Sequence, residues 1–311
     1  MNQNRRKFIK TIATGSAALL LASLDAFSLT SKPKFTLHKN YELKIMATKW
    51  GDVSSMDDFC ARVKKAGYDG IEEWWPDDKK QQDEMFAAVK KHNLDIGFVC
   101  GAWQSNAVEH LALYKKLINA AAKQNIQRPL YINNHSGRDY FSFEESKKFM
   151  EHTNALSKET GIPIYHETHR GRILFAAHIT KEFIQKIPEL RLTLDISHWC
   201  NVHESMLDNQ KETVDAALER TDHIHARIGY EEGPQVNDPR APEWEYAVKK
   251  HFEWWDKVVE RKKKNGERMT FLTEFGPPMY MQTLPYTLQT VSDQWAINVH
   301  MLQLLRKRYA P

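Results

Sequence analysis

The sequence is poor in cysteine, and its three cysteines, Cys60, Cys100 and Cys200, are widely spaced and odd in number. This pattern argues against a disulfide framework and a Cys-x-x-Cys metal site, and it is typical of buried cysteines that serve as small hydrophobic side chains. Low-complexity segments and internal repeats are also absent. With 311 residues and 41% hydrophobic content, the chain can form one large barrel domain or two ordinary domains.

An excess of basic charge is missing once the first residues are set aside. Residues 1–26 carry four basic side chains against one acid, Asp25, which accounts for +3 of the formal net charge of +4. The rest of the chain is nearly neutral, so it lacks the basic footprint that drives nucleic-acid binding. We therefore expect a small-molecule substrate and no nucleic-acid partner.

Residues 1–26 have the pattern of an export signal. A basic start that contains Arg5 and Arg6 in an Arg-Arg-x-Phe-x-Lys motif precedes a small apolar run at residues 11–24, which predicts a twin-arginine signal peptide. The apolar run is too short to span a membrane comfortably, so we expect an exported, periplasmic protein with no stable membrane anchor. Residues 27–42 form a polar lead-in.

Short apolar runs then alternate with helical patterns over residues 43–309. The runs, which predict strands, lie at 43–50, 69–75, 94–103, 129–135, 163–169, 190–199, 223–229 and 269–276. Eight strands alternating with eight helices over about 270 residues predict an α/β fold, a single (β/α)8 TIM barrel that forms the catalytic domain.

Two local patterns bear on this fold. An open doubly wound sheet would normally have a glycine-rich phosphate turn after the first strand, but residues 49–54 contain only Gly51 and no such motif. The basic run at residues 262–264 is typical of a solvated helix end. The barrel is therefore the favoured architecture.

Polar side chains follow four of the predicted strands where each strand ends. Glu167, Asp195, His225 and Glu274 occupy these positions, and strand alternation allows all four to point into the barrel mouth. Three carboxylates and one imidazole brought together without a cation would repel one another and bury charge at high cost. One divalent metal resolves this, and the ligand set suits Mn²⁺, Mg²⁺ or Co²⁺, with Zn²⁺ also possible.

An alternative without metal remains open at this stage. Arg170 and Arg227 follow the same strands as Glu167 and His225, and their guanidinium groups could form an ion-paired network with the acids.

The order of these residues resembles the xylose isomerase-like TIM-barrel superfamily of sugar phosphate isomerases and epimerases. The resemblance covers residues 43–309 and implies that Glu167, Asp195, His225 and Glu274 hold one divalent metal, with Glu167 and Glu274 as the acid/base pair. The Asp-x-x-His motif at residues 195–198 implies that His198 contacts substrate oxygens.

Further candidates for substrate contacts lie at other strand ends. His135, His169 and Arg227 are polar candidates, and His135 could equally be structural. Trp50 and Trp103 could stack against sugar C–H groups, as aromatic faces commonly do in apolar contacts.

The sequence favours a metal-dependent enolising enzyme that acts on an unphosphorylated keto-sugar or 3-keto-glycoside, by isomerisation, epimerisation or β-elimination. Two alternatives stay open. One is a zinc-dependent hydrolase of the apurinic-endonuclease type, although Asp238-Pro239-Arg240 has Arg where that type needs His. The other is a non-catalytic sugar-binding barrel.

Overall fold

The structure is a computed structural model that describes residues 39–311. The predicted export signal and most of the polar lead-in lie outside the described residues. No helix formed by residues 39–311 has both the length and the apolar character needed to cross a membrane.

Eight strands form a closed barrel in which every neighbouring pair is parallel. β1 closes the barrel by pairing with β8 as well as with β2, as a (β/α)8 fold requires. The predicted fold class is therefore confirmed. The strands are β1 Glu42–Thr48, β2 Gly70–Trp74, β3 Asp95–Gly101, β4 Ile132–His135, β5 Ile164–Glu167, β6 Leu192–Leu194, β7 Thr221–His225 and β8 Arg268–Thr273.

The helices follow the strands and cover the outside of the barrel. In the described chain they are α1 Met56–Ala66, α2 Lys79–Lys91, α3 Ala107–Lys123, α4 Phe143–Thr160, α5 Ala177–Lys186, the short α6 Ser197–Val202, α7 Lys211–Arg220, α8 Glu245–Asn265 and α9 Gln294–Tyr309.

Local capping sets several of the helix ends. A capping box begins α4: the Ser142 side chain accepts from the Glu145 backbone while the Glu145 side chain accepts from the Ser142 backbone. At its carboxyl end, α1 stops at Gly67, which has φ +92°, a left-handed conformation that glycine adopts without steric cost.

The last helix begins later than the pattern of apolar residues predicts. Residues 287–308 have helical periodicity, but α9 starts at Gln294, where the Asp293 side chain accepts from the Ala296 backbone. Residues 277–291 instead form an irregular loop above the barrel mouth, and Val291 is 42% exposed. The helical part of this segment is therefore limited to residues from Gln294 onward.

Inside the barrel, close packing gives way to polar contacts toward the mouth. A Cβ on Gly97 would lie 2.7 Å from the Tyr131 ring, so glycine at this position makes room for Tyr131. Tyr131 packs with Met46 and Leu272, and its hydroxyl donates to Glu72 at 2.6 Å. The interior packing therefore supports a buried carboxylate.

At the base of the barrel, two of the lysines predicted to be solvated are buried. Lys262 and Lys263 are each 5% exposed, so the prediction is wrong for these two residues. The Lys262 ammonium contacts Asp222, which also receives two bonds from Arg191 at 2.6 and 2.8 Å. For Lys262 the reason is long-range pairing with β7, whereas the Lys263 ammonium lies 5.2 Å from the centre of the Tyr41 ring. A local charge pattern reveals neither contact.

We predict that Asp222→Asn destabilises the fold by roughly 3 kcal/mol, because it leaves Arg191 and Lys262 with an uncharged partner in a mostly buried place. Burial alone would raise the pKa of Asp222, but Arg191 and Lys262 hold this pKa below its ordinary value. The contribution to stability is therefore complete above the pKa of an unfolded aspartate, about 3.9, and is lost as pH falls through the lower folded-state pKa.

Urea denaturation of both proteins between pH 2 and pH 7 measures this effect. Asp83→Asn is the matched control, since Asp83 pairs with Lys79 on an exposed helix face and should contribute less than about 1 kcal/mol. Equal stabilities of wild type and Asp222→Asn at pH 7 would contradict the prediction.

Candidate active site

The four predicted metal ligands converge at the carboxyl ends of the strands. Glu167 and His225 are the last residues of β5 and β7, and Asp195 and Glu274 directly follow β6 and β8. One ligand atom from each lies within 4.8 Å of the others. The barrel therefore brings together four side chains that span residues 167 to 274 of the sequence. They meet at the face where such barrels carry their chemistry.

Three of these ligand atoms are buried and unsatisfied. Glu167 Oε1, His225 Nδ1 and Glu274 Oε2 make no hydrogen bond within the part of the chain that the structure describes. Nδ1 of His225 lies 2.9 Å from Glu274 Oε2 and 3.7 Å from Glu167 Oε1. Because buried polar atoms normally have partners, converging orphaned acceptors fit a bound cation.

Arg227 supplies one positive charge to the site. Its guanidinium contacts Asp195 Oδ2 and lies 3.5 Å from Glu274 Oε2, and the residue is 2% exposed. Burial would lower the pKa of Arg227, but the carboxylates of Asp195 and Glu274 raise it. Arg170 instead donates to Asn201 Oδ1 at 2.8 Å, so only one of the two arginines of the metal-free alternative pairs with these acids.

Crowding of carboxylates shifts the protonation of the site. Burial raises the pKa of Asp195 to about 6, with Glu274 and Glu167 adding to the shift and Arg227 opposing it. Burial would also raise the pKa of Glu167, but His135 and His225 hold it well below its ordinary value. Burial would lower the pKa of His225, but Glu274 and Glu167 raise it well above its ordinary value, so without a cation Arg227 and a protonated His225 share the neutralisation of the three acids. A divalent cation bound at His225 Nδ1 would take the place of that proton.

A buried carboxylate below the site fixes the orientation of His225. Glu72 Oε1 lies 3.1 Å from His225 Nε2, and Glu72 Oε2 accepts from Tyr131 and lies 2.9 Å from His223 Nε2. With Nε2 directed at Glu72, the Nδ1 atom of His225 faces Glu274 and Glu167 and can bind a metal beside them, as in the carboxylate–histidine–metal arrangement.

Glu72 and Asn133 are site residues that the sequence analysis missed. Asn133 Nδ2 donates to Glu167 Oε2 at 2.6 Å and so fixes the carboxylate from β4. An acid on the inward face of β2, in phase with Gly70 and Trp74, was the available signal for Glu72. An inward asparagine two residues before His135 was the signal for Asn133.

The predicted substrate histidines lie around the mouth. His135 Nε2 is 2.9 Å from Glu167 Oε2, the His135 and His169 rings are 4.7 Å apart, and His169 and His198 are 3.9 Å apart. Burial lowers the pKa of His169 and His198 well below the ordinary value, so both rings are neutral. Neutral imidazoles can donate to or accept from sugar hydroxyls.

His198 also contacts the ion-paired groups. Its Nε2 lies 2.9 Å from Arg227 Nη2, while its Nδ1 has no hydrogen-bond partner among residues 39–311. Because Arg227 can only donate, Nε2 accepts and the proton belongs on Nδ1. His198 therefore offers a buried donor, consistent with a contact to a substrate oxygen.

Aromatic side chains form the walls of the mouth. Trp50 is 36% exposed, lies edge-on to Tyr280 at 4.9 Å, and would collide with a side chain at Gly276. Trp103 is 58% exposed, whereas Trp199 is fully buried and belongs to the core. The two tryptophans predicted to contact substrate thus keep accessible surface, as stacking on a sugar requires.

Tyr280 is a further residue that the sequence analysis did not single out. It lies in the loop after β8, and its ring is 4.7 Å from the Arg227 guanidinium and 5.4 Å from that of Arg170.

The loop after β7 contains Arg240, which binds Asp238 through two hydrogen bonds of 2.7 and 2.6 Å. Arg240 stands where the zinc-hydrolase pattern needs a histidine, and it pairs with Asp238 of the same motif.

Solved structures with the same fold include enzymes of several kinds. The 3-keto-D-glucoside 4-epimerase from E. coli has a TM-score of 0.58 at 14% identity, with 86% of this chain and 100% of that chain covered. A D-tagatose 3-epimerase-like protein has a TM-score of 0.55 at 12% identity, with 86% and 96% covered. AP endonuclease, family 2, from Brucella melitensis has a TM-score of 0.51 at 14% identity, with 76% and 93% covered.

At these identities the structural likeness shows the fold alone, and no curated protein matches the chain at a significant level. The model of one protein family matches residues 60–258, which is more than half of the chain and includes three of the four converging ligands, Glu167, Asp195 and His225. The chain belongs to the xylose isomerase-like TIM barrel family.

Proposed function

We propose that this protein is a divalent-metal-dependent enolising enzyme that acts on an unphosphorylated keto-sugar or 3-keto-glycoside. The observation that carries the proposal is the convergence of Glu167 Oε1, His225 Nδ1 and Glu274 Oε2, three buried atoms without hydrogen bonds in the described structure, next to Asp195. The sugar epimerases with this fold are consistent with a sugar substrate.

Glu167, Asp195, His225 and Glu274 would hold one divalent ion, and their oxygen-rich set suits Mn²⁺, Co²⁺, Mg²⁺ or Zn²⁺. When bound, such an ion polarises a carbonyl group and stabilises the negative charge that develops on its oxygen. The chain itself then has to bind the sugar, orient it, and move a proton from the carbon beside the carbonyl.

Glu167 and Glu274 are suited to that proton transfer because they face the mouth from β5 and from the end of β8. Glu167 is fixed by bonds from Asn133 and His135, whereas Glu274 has a side chain that is 15% exposed and less constrained. A carboxylate on each side of a bound sugar can remove a proton from one face and return one to the other. The same first step serves isomerisation, epimerisation and β-elimination.

The remaining groups of the mouth suit a neutral sugar. His135, His169 and His198 offer ring nitrogens for hydroxyl groups, and Trp50 and Trp103 offer apolar faces. Arg227 is already paired with Asp195, so it is not free to neutralise a phosphate. These contacts favour an unphosphorylated substrate.

One observation favours a second candidate, a zinc-dependent hydrolase. His135, Glu167 and His169 form another group whose ligand atoms lie within 4.8 Å of one another, and this group shares Glu167 with the first. A site of two or more metals would suit hydrolysis. Metal analysis combined with an assay for cleavage of apurinic DNA separates this candidate from the enolising enzyme, which needs one ion and has no activity on DNA.

We predict that the purified protein binds about one divalent ion and that Asp195→Ala abolishes binding, because the ion would be under-coordinated and the remaining carboxylates would repel each other. Glu72→Gln should keep the fold but weaken metal binding about 10- to 100-fold, because His225 loses its charged partner. Calorimetric titration of the metal-free proteins with Mn²⁺ measures both effects.

Glu73→Gln is the matched control for Glu72→Gln. Glu73 is the next residue of β2 and belongs to none of the candidate metal-ligand groups within residues 39–311, so its replacement should leave Mn²⁺ affinity unchanged. Equal affinities for Glu72→Gln and wild type would refute the positioning role of Glu72. Active wild-type protein without any metal would refute the metal site.

We predict that Glu167→Gln and Glu274→Gln each lower turnover by roughly 10²- to 10⁴-fold, since glutamine keeps the shape and one oxygen but cannot accept a proton. Both variants should still bind metal, though more weakly. For an epimerase, exchange of the substrate α-proton in D₂O should fail in one variant for each stereoisomer. For a lyase, one glutamate should dominate proton removal, and the other should assist the leaving group.

A panel of keto-sugars and 3-keto-glycosides in D₂O, followed by NMR, measures this exchange. Near-normal exchange in both glutamine variants would rule out these carboxylates as the bases. Sugar binding without exchange by the wild type would instead indicate a non-catalytic sugar-binding barrel.

We also propose that residues 1–26 direct export to the periplasm. A fusion of residues 1–31 to a folded reporter should reach the periplasm through the twin-arginine route, and replacement of Arg5 and Arg6 by lysine should prevent this. Fractionation of cells that express both fusions measures the outcome. Equal export of the lysine variant would show that the paired arginines are not required.

A further inference from the structure

Trp103, two residues after the end of β3, presents a large exposed ring on a backbone that is held by hydrogen bonds. The residue is 58% exposed, yet its carbonyl accepts from Arg138 Nη2 at 2.7 Å and its backbone N–H donates to Gln104 at 3.1 Å. The guanidinium of Arg172 lies 4.2 Å from the centre of the ring. Arg172 is itself buried and donates to the carbonyl oxygens of Ala102 and Gly137, so it supports the ring from the protein side.

A continuous row of rings connects this platform to the proposed acid/base group. His135 contacts Glu167, the Trp74 ring lies 5.0 Å from His135, and the Trp103 ring lies 5.8 Å from Trp74. Exposure rises along the row, from 1% and 13% for the side chains of Glu167 and His135 to 38% for Trp74 and 58% for Trp103. The row therefore runs from the buried site to the solvent on the β2–β4 side.

In the proposed function, the keto-sugar ring binds next to Glu167 and Glu274, at the buried end of this row. The Trp103 platform at the exposed end remains available to a second group attached to that sugar. A rigid, pre-positioned indole loses little conformational entropy when a ring stacks on it, and stacking removes apolar surface from water. The platform therefore suits a two-ring ligand better than a one-ring ligand.

We infer that Trp103 forms a subsite for a second ring linked to the keto-sugar, so that the substrate is a keto-glycoside and not a free keto-sugar. This inference rests on the proposed function for the identity of the first ring. The second ring can be a sugar or an aryl group, since both offer an apolar face to an indole. Experiments with each type of ring distinguish the two.

Calorimetry with unreactive glucosides tests the subsite without turnover. Wild-type protein should bind phenyl glucoside, cellobiose or both about five- to tenfold more tightly than methyl glucoside. Trp103→Ala should remove this preference, and Trp103→Phe should keep part of it because it retains an aromatic face. The ring whose affinity depends on Trp103 identifies the natural class of second ring.

Tyr246→Ala is the matched control. Tyr246 is also an exposed aromatic residue, at 47%, but it follows β7, on the opposite side of the barrel from β3. It should leave the preference for two rings unchanged. Circular dichroism melts of all variants exclude unfolding as the cause of any loss.

The 3-keto forms of the same glucosides extend the test to catalysis. In Trp103→Ala, kcat/KM should fall about five- to tenfold for the two-ring substrate and stay unchanged for methyl 3-keto-glucoside. Equal changes for both substrates, or no preference for two rings in the wild type, would overturn the inference. If the wild type enolises none of these compounds, the proposed function fails, and the binding comparison still decides whether the subsite exists.

Discussion

The structure depends on placing three carboxylates and an imidazole at one buried point. Glu167, Asp195 and His225 are almost completely inaccessible to solvent, and Glu274 is only slightly exposed. Charges of one sign in such a place repel one another and lose hydration, so the fold has to supply compensating charge. Arg227 supplies part of it through Asp195, and the atoms that remain unsatisfied are those that face one another.

Side-chain packing below the site fixes the orientation of the residues in it. The absence of a side chain at Gly97 admits Tyr131, Tyr131 and His223 hold Glu72, and Glu72 directs Nδ1 of His225 toward the carboxylates. Each contact is between side chains of the barrel interior, where close packing leaves few alternative orientations. The geometry of the site is therefore supported by strands that contribute none of the four converging side chains, in particular β2 and β4.

Exposed aromatic side chains and buried polar side chains lie at different depths of the barrel mouth. Trp103 and Trp50 lie on different sides of the mouth and keep accessible surface, whereas the groups suited to proton transfer lie deeper. Loops that follow strands tolerate change without disturbing the barrel, so the side chains of the rim can vary while the buried polar side chains stay in place. The family's common barrel accordingly accommodates the different chemistries of proteins with the same fold.

The sequence by itself determined the alternation of strands and helices, because apolar periodicity and capping depend on neighbouring residues. That alternation predicts the barrel. It also places four polar residues at strand ends, namely Glu167, Asp195, His225 and Glu274. Only the tertiary structure decided what depends on residues distant in the chain. Glu72 contacts His225, which is 153 positions away in the chain. Lys262 is buried where it pairs with Asp222. Residues 287–291, for which the apolar pattern predicts helix, belong to the loop at residues 277–291. The contact between Glu72 and His225 follows from barrel closure, which places β2 and β7 opposite each other across the interior. The residue spacing within either strand does not indicate this arrangement.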